Sequence, residues 1–419
     1  MLKSFYLKNF KSWNEESIID MTAESISEHP YDVINTKRGK FIKNLAIFGA
    51  NASGKSNLID GLDFMYRKVM EIYNEREWNR NIPPEIKNNP FSNLLAFRKP
   101  HCSTYANKIS KTEFEITFIE LDEEYSYGFE IKEERILQEW FDRNGKPIFD
   151  RAKGDTQKLN EYKHIFDKTP DGDLFVSHII AYAKIEVDTP IYYLANFFMK
   201  MGVFKDFEKL DPMILNLVLT DIYKNQRKVF DRMNAYFEII DFGIKRMEYD
   251  ESRKALCFIH EGKNEIFKVF LPDESLGTRK MLIFLAGILT RLENGGLIIA
   301  DEFTSSLHPL LSKLILDMIS SESYNIGRAQ IIFTTHDIFL LRKEQLRRDE
   351  IAFVYKNKAG ESNIVKLYDI KSSEEARIRK DATYWKDYLR GAYEGSPNID
   401  YQLFVNEAEA VYGKKTGKA

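Results

Sequence analysis

Two cysteines in 419 residues, Cys102 and Cys257, stand far apart, and neither a CxxC nor an HExxH spacing occurs. That excludes the usual thiolate zinc sites, dithiol redox centres and zincin-type proteases, and it fits a chain working in a reducing cytoplasm. Long hydrophobic runs are missing as well. The most apolar uncharged stretch, Met281 to Thr290, is closed off by Lys280 and Arg291, and at about ten residues it is half of what a bilayer span needs. The N-terminus alternates basic and apolar residues, so no secretory segment and no membrane contact are expected. Charge of one sign is also lacking: 61 Lys and Arg against 64 Asp and Glu leave a net charge of −3, and bulk electrostatics therefore do not favour nucleic acid. No internal repeat or low-complexity block appears. The remainder is ordinary globular composition, 43% hydrophobic and 30% charged. The length exceeds what one core usually organises, so two modules are expected.

What the chain does carry is a phosphate-binding loop. Residues 49–56 read GANASGKS, placing Gly49, Gly54, Lys55 and Ser56 at the GxxxxGK[ST] spacing. The apolar run Leu45-Ala46-Ile47-Phe48 before it reads as a buried parallel strand, and Leu58, Leu62 and Met65 after it fall at helical spacing. Strand, loop and helix thus follow in the required order. Glycines let backbone N–H groups converge on phosphate oxygens, and the helix N-terminus adds its positive dipole end. Lys55 is expected to reach the β and γ phosphates of ATP and Ser56 to ligate Mg2+, with Asn51, Ser53 and Asn57 completing the cradle.

An acidic pair that completes such a site, Asp301-Glu302, ends the apolar run Leu297-Ile298-Ile299-Ala300 roughly 250 positions later. Asp301 suits the magnesium shell, and Glu302 suits orienting or deprotonating the attacking water. A second apolar strand, Gln330 to Thr334, runs through Thr335 to His336 and Asp337. Alone, a histidine at a strand end is more often structural; its order after the acidic strand favours a catalytic role. Between the two, Ser305-Ser306-Leu307-His308-Pro309 forms a loop whose proline can open the next helix. Upstream, Ser275 in Glu274-Ser275-Leu276-Gly277-Thr278 can cap the apolar helix from Met281 to Leu292, giving either an anion site or simply a capped core helix.

In this order the motifs resemble an ATP-binding-cassette ATPase of the chromosome-maintenance (SMC) and RecF-like type. The opening Met1-Leu2-Lys3-Ser4-Phe5-Tyr6-Leu7-Lys8-Asn9-Phe10-Lys11-Ser12 is similar to that group's first strand and its NFKS turn. Within the group, the ESLGT helix start, the SSLHP loop, Leu346-Arg347-Arg348-Asp349-Glu350-Ile351 and Tyr388-Leu389-Arg390-Gly391-Ala392-Tyr393 resemble the compact ATPases of bacterial abortive-infection systems. These include the AbiL or RloA type and the ATPase halves of two-gene phage-defence pairs such as PARIS. The resemblance implies an α/β, two-lobed P-loop head with a mixed sheet, an antiparallel β lobe and a helical insertion. It also implies a face-to-face homodimer or higher oligomer. Lys55, Ser56, Asp301, Glu302 and His336 of one chain would hold ATP and Mg2+, and Ser275 and Gly277 of the other would close over the γ-phosphate. The signature here has one glycine where transporters carry two, and the loop after the acids reads Ser-Leu-His instead of an Ala-Leu-Asp type sequence. No glutamine that could sense the γ-phosphate occurs between Pro90 and Arg98.

The chain between the motifs sets the expected division into 1–185 as the first lobe, 186–242 as a helical insertion and 243–419 as the second lobe. Lys111 to Ile131 alternates as a hairpin through Leu121-Asp122-Glu123-Glu124, and Asn144-Gly145 signals a second hairpin. Phe204, Phe207 and Leu210, then Ile214 to Phe237, recur at helical intervals and read as a helical subdomain or a shortened dimerisation arm. Arg377, Arg379, Lys380, Lys386 and Arg390 form either a solvated helix face or a contact for phosphate or an acidic partner. The DxD at Asp171-Gly172-Asp173 follows Pro170 in a polar turn and lacks the strand of a nuclease site. Two functions remain. The favoured one, implied by the resemblance, is the sensor or scaffold half of an antiviral, toxin–antitoxin-like system that controls a nuclease or toxin encoded nearby, with a phage component as trigger. The alternative is a DNA-repair or DNA-organising ATPase that clamps nucleic acid.

Overall fold

The computed structural model describes residues 1–81, 110–151, 157–205, 212–240, 243–262, 265–305, 308–373, 376–377, 383–393 and 395–396. Cys102, the stretch Pro90 to Arg98, Phe207, Leu210, Ser306, Leu307, Arg379, Lys380 and the tail from Gly413 lie outside the described residues, as does the side chain of Arg377.

The strands run, in chain order, β1 (Leu2–Lys8), β2 (Ser17–Asp20), β3 (Val33–Thr36), β4 (Gly39–Ile42) and β5 (Asn44–Phe48), which leads into helix α1 (Lys55–Asn81). They continue as β6 (Thr112–Glu120), β7 (Glu123–Lys132), β8 (Arg135–Arg143), β9 (Lys146–Asp150) and β10 (Gly202–Phe204). Then come β11 (Ile244–Asp250), β12 (Ala255–Glu261), β13 (Ile266–Phe270), β14 (Leu297–Ala300), β15 (Gln330–Thr334), β16 (Ile351–Lys356) and β17 (Ser362–Lys366), followed by a short antiparallel pair, β18 (Lys371–Ser373) and β19 (Ala376–Arg377).

Two six-stranded sheets organise the molecule. The first is antiparallel, in the order β2-β1-β6-β7-β8-β9, and the second is ordered β10-β14-β15-β5-β16-β17. In the second, all pairs are parallel except the edge pair β16–β17, so this is a mixed sheet. Both faces of its central strands are covered, which is why β5, β14 and β15 read as unbroken apolar runs. One face, with Leu45, Ile47, Ile299 and Ile332, shares a core with α1 (Leu58, Leu62, Met65) and with the aromatic face of the antiparallel sheet. The other face, with Phe48, Ile298, Ala300 and Phe333, packs on the helices Leu276–Asn294 and Pro309–Ser320. Helix α1 is therefore the shared layer between two sheets.

The antiparallel lobe forms where the alternation predicts it. Phe114 stands opposite Phe129, their rings 5.4 Å apart, and Phe118 stacks on Tyr125 at 5.3 Å. Leu121-Asp122 and Asn144-Gly145 make the two expected hairpin turns, and Glu133-Glu134 makes a third between β7 and β8, all six residues having positive φ.

The segment 186–242 is not one helical module. Helix Pro190–Met199 packs into the core shared with the antiparallel sheet through Ile191, Leu194 and Phe198, whereas helices Pro212–Asn225 and Arg227–Ile240 pack in the other core. Between them Phe204 lies in strand β10, parallel to β14, and not in a helix. The helical spacing of Phe204 misled because a three-residue strand is too short to show a period of its own. It is held there by packing: its ring meets Phe284 at 5.2 Å, and a side chain on Gly287 would collide with it.

Candidate functional site

The phosphate loop links β5 to α1 at the carboxyl edge of the parallel sheet, where open α/β sheets place their ligands. Its glycines are required by close approach. A side chain on Gly49 would run into the Val354 carbonyl, and one on Gly54, whose φ is +113°, would run into Ser362 Oγ. The loop is pinned from behind by residues the sequence reading did not assign to the site. Ser362 donates to the Ser53 carbonyl at 2.6 Å and lies 2.8 Å from Ser12 Oγ; the Trp13 indole donates to the Gly54 carbonyl at 3.2 Å. Asn57 gives its amide to Ser12 Oγ at 2.8 Å, so it braces the NFKS turn, and Asn51 is exposed on the loop.

Lys55 is 7% exposed and its ammonium donates to the Gly49 and Ala50 carbonyls at 2.9 and 3.0 Å. Burial holds its pKa below the ordinary lysine value, with Asp301 and Glu302 pulling the other way. Ser56 is exposed at the start of α1.

Asp301 and Glu302 follow β14 directly, and β15 supplies their brace. Thr334 Oγ1 donates to Asp301 Oδ1 at 2.6 Å and accepts from the Glu302 N–H at 2.7 Å. Glu302 has a left-handed backbone, φ 50°, an unusual conformation for a residue with a side chain and one that recurs at functional sites. Further along, the Thr304 and Thr335 hydroxyls meet at 2.7 Å. His336 is exposed next to this pair. Partial burial and then the Lys55 charge lower its pKa, while Glu302 and Asp301 oppose them, so the imidazole is neutral at pH 7. The mutual electrostatic influence of Lys55, Asp301, Glu302 and His336 places all four in one cluster.

Ser275 and Gly277 stand at the start of another helix. Ser275 caps the helix Leu276–Asn294, accepting from Thr278 N–H at 3.0 Å, and both residues are exposed. A methyl group at Gly277 would meet only Ser275 Oγ, at 3.8 Å, so the backbone is open to close approach from outside. His308 caps the helix Pro309–Ser320, with Pro309 in its first turn as expected.

The residues fit a magnesium nucleotide. Ser53 Oγ is buried inside the loop with no hydrogen-bond partner, a hydroxyl arranged for a phosphate oxygen or water. Among the described residues no group of three or more His, Cys, Asp or Glu forms a cage for a metal. A site of Ser56 and Asp301 with phosphate oxygens and water suits magnesium, which keeps much of its hydration.

Fold and site together define a P-loop ATPase-type protein. The chain belongs to the family described as "AAA domain, putative AbiEii toxin, Type IV TA system", whose match covers residues 45–342, from β5 past His336. No curated protein matches the sequence. Among solved structures, one titled "Crystal structure of the SmcHead bound to the C-winged helix domain of ScpA" aligns over 87% of this chain and 96% of its own, at 17% identity and a TM-score of 0.45. Among the described residues no helix is long and apolar enough to cross a membrane.

Proposed function

We propose that this protein binds and hydrolyses ATP with Mg2+ in a face-to-face homodimer, and that it is the sensor or scaffold half of a bacterial antiviral system that controls a nuclease or toxin. The observation that carries the ATPase reading is the row at one sheet edge: loop and Lys55 after β5, Asp301-Glu302 after β14, and His336 close behind β15. Lys55 and the N-terminus of α1 hold the phosphates, Ser56 and Asp301 hold magnesium, and Glu302 with neutral His336 positions the water. Magnesium supplies charge neutralisation on the phosphate oxygens. The dimer reading rests on Ser275 and Gly277. They stand exposed on an open helix start that suits the γ-phosphate of a second chain. The family's toxin–antitoxin description supports the assignment to a defence pair.

The test is to express the chain with its neighbouring genes and weigh the complex with and without ATP. Lys55→Ala should lose nucleotide, whereas Glu302→Gln should keep ATP, stop turnover and accumulate dimers that Ser275→Arg prevents. Full turnover in Glu302→Gln would assign the water to another group. Tight DNA binding that stimulates turnover of the isolated protein would favour the nucleic-acid clamp instead.

A further inference from the structure

The end of β10 carries a cation that the site described above leaves unused. Phe204 pairs with Ala300, so Lys205 comes beside Asp301, whose N–H donates to the Phe204 carbonyl at 3.0 Å. Ala300 pairs in turn with Phe333, which brings Thr334 beside Asp301 on the other side. Residues at one level of neighbouring parallel strands present side chains to the same face. Val203, Ile299 and Ile332, two positions earlier on each strand, lie on the side of the sheet that α1 covers. Lys205, Asp301 and Thr334 therefore form a row under α1 at the carboxyl edge. Strands in such a row are about 4.8 Å apart, within reach of a lysine side chain.

The Lys205 ammonium lies 2.7 Å from Asp60 Oδ1 and 2.5 Å from Asp63 Oδ2, both on α1. Each of these carboxylates has a second cation. Lys11 pairs with Asp60, and Arg67 Nε pairs with Asp63 at 2.8 Å. Among the described residues, three cations thus face two carboxylates. Departure of Lys205 would leave neither the buried Asp63 nor the half-buried Asp60 alone, which removes the main cost of moving a charge out of a buried pair. The surplus positive charge is held on α1, about one and a half to two turns past Lys55, while the Lys205 backbone lies beside the proposed magnesium ligand.

We propose that Lys205 is a sensor of the terminal phosphate of a bound nucleoside triphosphate, moving from Asp60 and Asp63 onto the γ-phosphate beside Asp301. A diphosphate held by the loop ends short of that row, so Lys205 stays on α1. The charge shift couples the triphosphate state to β10, whose preceding residues Lys200 and Met201 are held by Arg291 of the helix that Ser275 caps.

This inference rests on the nucleotide reading of the loop, and the experiment separates the two. Titrate the full-length protein with Mg-ADP and with a non-hydrolysable Mg-ATP analogue, comparing wild type, Lys55→Ala and Lys205→Gln. Lys205→Gln should weaken the analogue about tenfold or more while leaving ADP unchanged, since a charge-assisted phosphate contact is lost only in the triphosphate state. ADP binding is then the control for an intact fold. Equal loss of both ligands, or loss of neither, overturns the role of Lys205. Failure of wild type to bind either nucleotide overturns the loop reading itself. Should Lys205→Gln not fold, acetylation footprinting of wild type decides: Lys205 reactivity should differ between the analogue and ADP, and equal reactivity rejects the proposal.

Discussion

Thr334 Oγ1 donates to Asp301 Oδ1 at 2.6 Å and in the same stroke accepts the Glu302 N–H at 2.7 Å, so one hydroxyl on β15 orients both acids at the end of β14. A metal-ligating carboxylate is tuned by such a partner as much as by its own position. Thr334→Val keeps the shape and removes the hydroxyl. We expect magnesium-dependent nucleotide binding or turnover to fall by about 10 to 100-fold, the usual cost of an outer-shell deletion, with Thr334→Ser restoring most of it. Normal magnesium dependence in the valine variant would show that Asp301 does not need this brace.

Gly54 and Ser362 make a second relationship open to mutation. Gly54→Ala drives a methyl group into Ser362 Oγ and asks a side chain to accept φ +113°. Nucleotide binding should be lost. Ser362→Ala removes only the 2.6 Å bond to the Ser53 carbonyl and the link to Ser12, so affinity should fall by about tenfold or less. Pairing Gly54→Ala with Ser362→Gly relieves the Ser362 collision but leaves the φ strain and a tight 3.0 Å approach to Ser12 Oγ, and it should rescue only in part. Titration of all three variants with one nucleotide ranks them, and full rescue in the double variant would show that φ is not limiting.

The parts of this site that were legible in the sequence are those whose chemistry needs a fixed local spacing. The loop at 49–56, the acids after an apolar strand and the Ser275 cap are each written within a few consecutive residues, and each lies on the strand, loop or helix expected for it. The braces were not legible, because they are long-range: Ser362 reaches the loop from more than 300 positions away, and the Trp13 indole and Ser12 hydroxyl come from a turn about 40 positions earlier in the chain. Lys205 was hidden for a different reason. Its strand is three residues long, and the helical spacing of Phe204 masks it. The division of 186–242 between two cores follows from which face each helix meets, and periodicity reports only that a face exists.

Glu139 offers a stability test away from the site. It is fully buried; its carboxylate accepts from the Phe175 and Val176 N–H groups at 2.7 and 3.0 Å and from Tyr127 at 2.9 Å, tying β8 to the start of helix Phe175–Tyr182. Glu139→Ala leaves two helix amides and a phenol buried without partners, at a cost of about 3 to 5 kcal/mol. Tyr127→Phe removes one donor from a carboxylate that keeps two others and should cost about 1 to 2 kcal/mol. Denaturant midpoints would check the order of the two, and a larger loss in Tyr127→Phe would contradict the helix-capping role.

The alkaline limb of nucleotide binding tests Lys55 directly. Burial holds its ammonium below the ordinary lysine value of 10.5, and the opposing pull of Asp301 and Glu302 does not restore it. The charged form is the one that meets phosphate, so affinity is full below the lowered pKa and declines as pH rises through it, before an ordinary lysine titrates. Burial acts on Lys205 in the same sense, but Asp63 and Asp60 more than offset it and raise its pKa, so it stays charged across this window. Nucleotide phosphates are already fully ionised there and contribute no slope of their own. Lys55→Arg keeps a charge at every accessible pH. Its affinity is lower because the guanidinium fits the loop differently, yet the curve against pH should be flat where the wild type falls. The comparison needs only equilibrium titrations between neutral pH and the onset of alkaline unfolding, followed by circular dichroism. An identical alkaline limb in both proteins would assign the titration to a group other than Lys55.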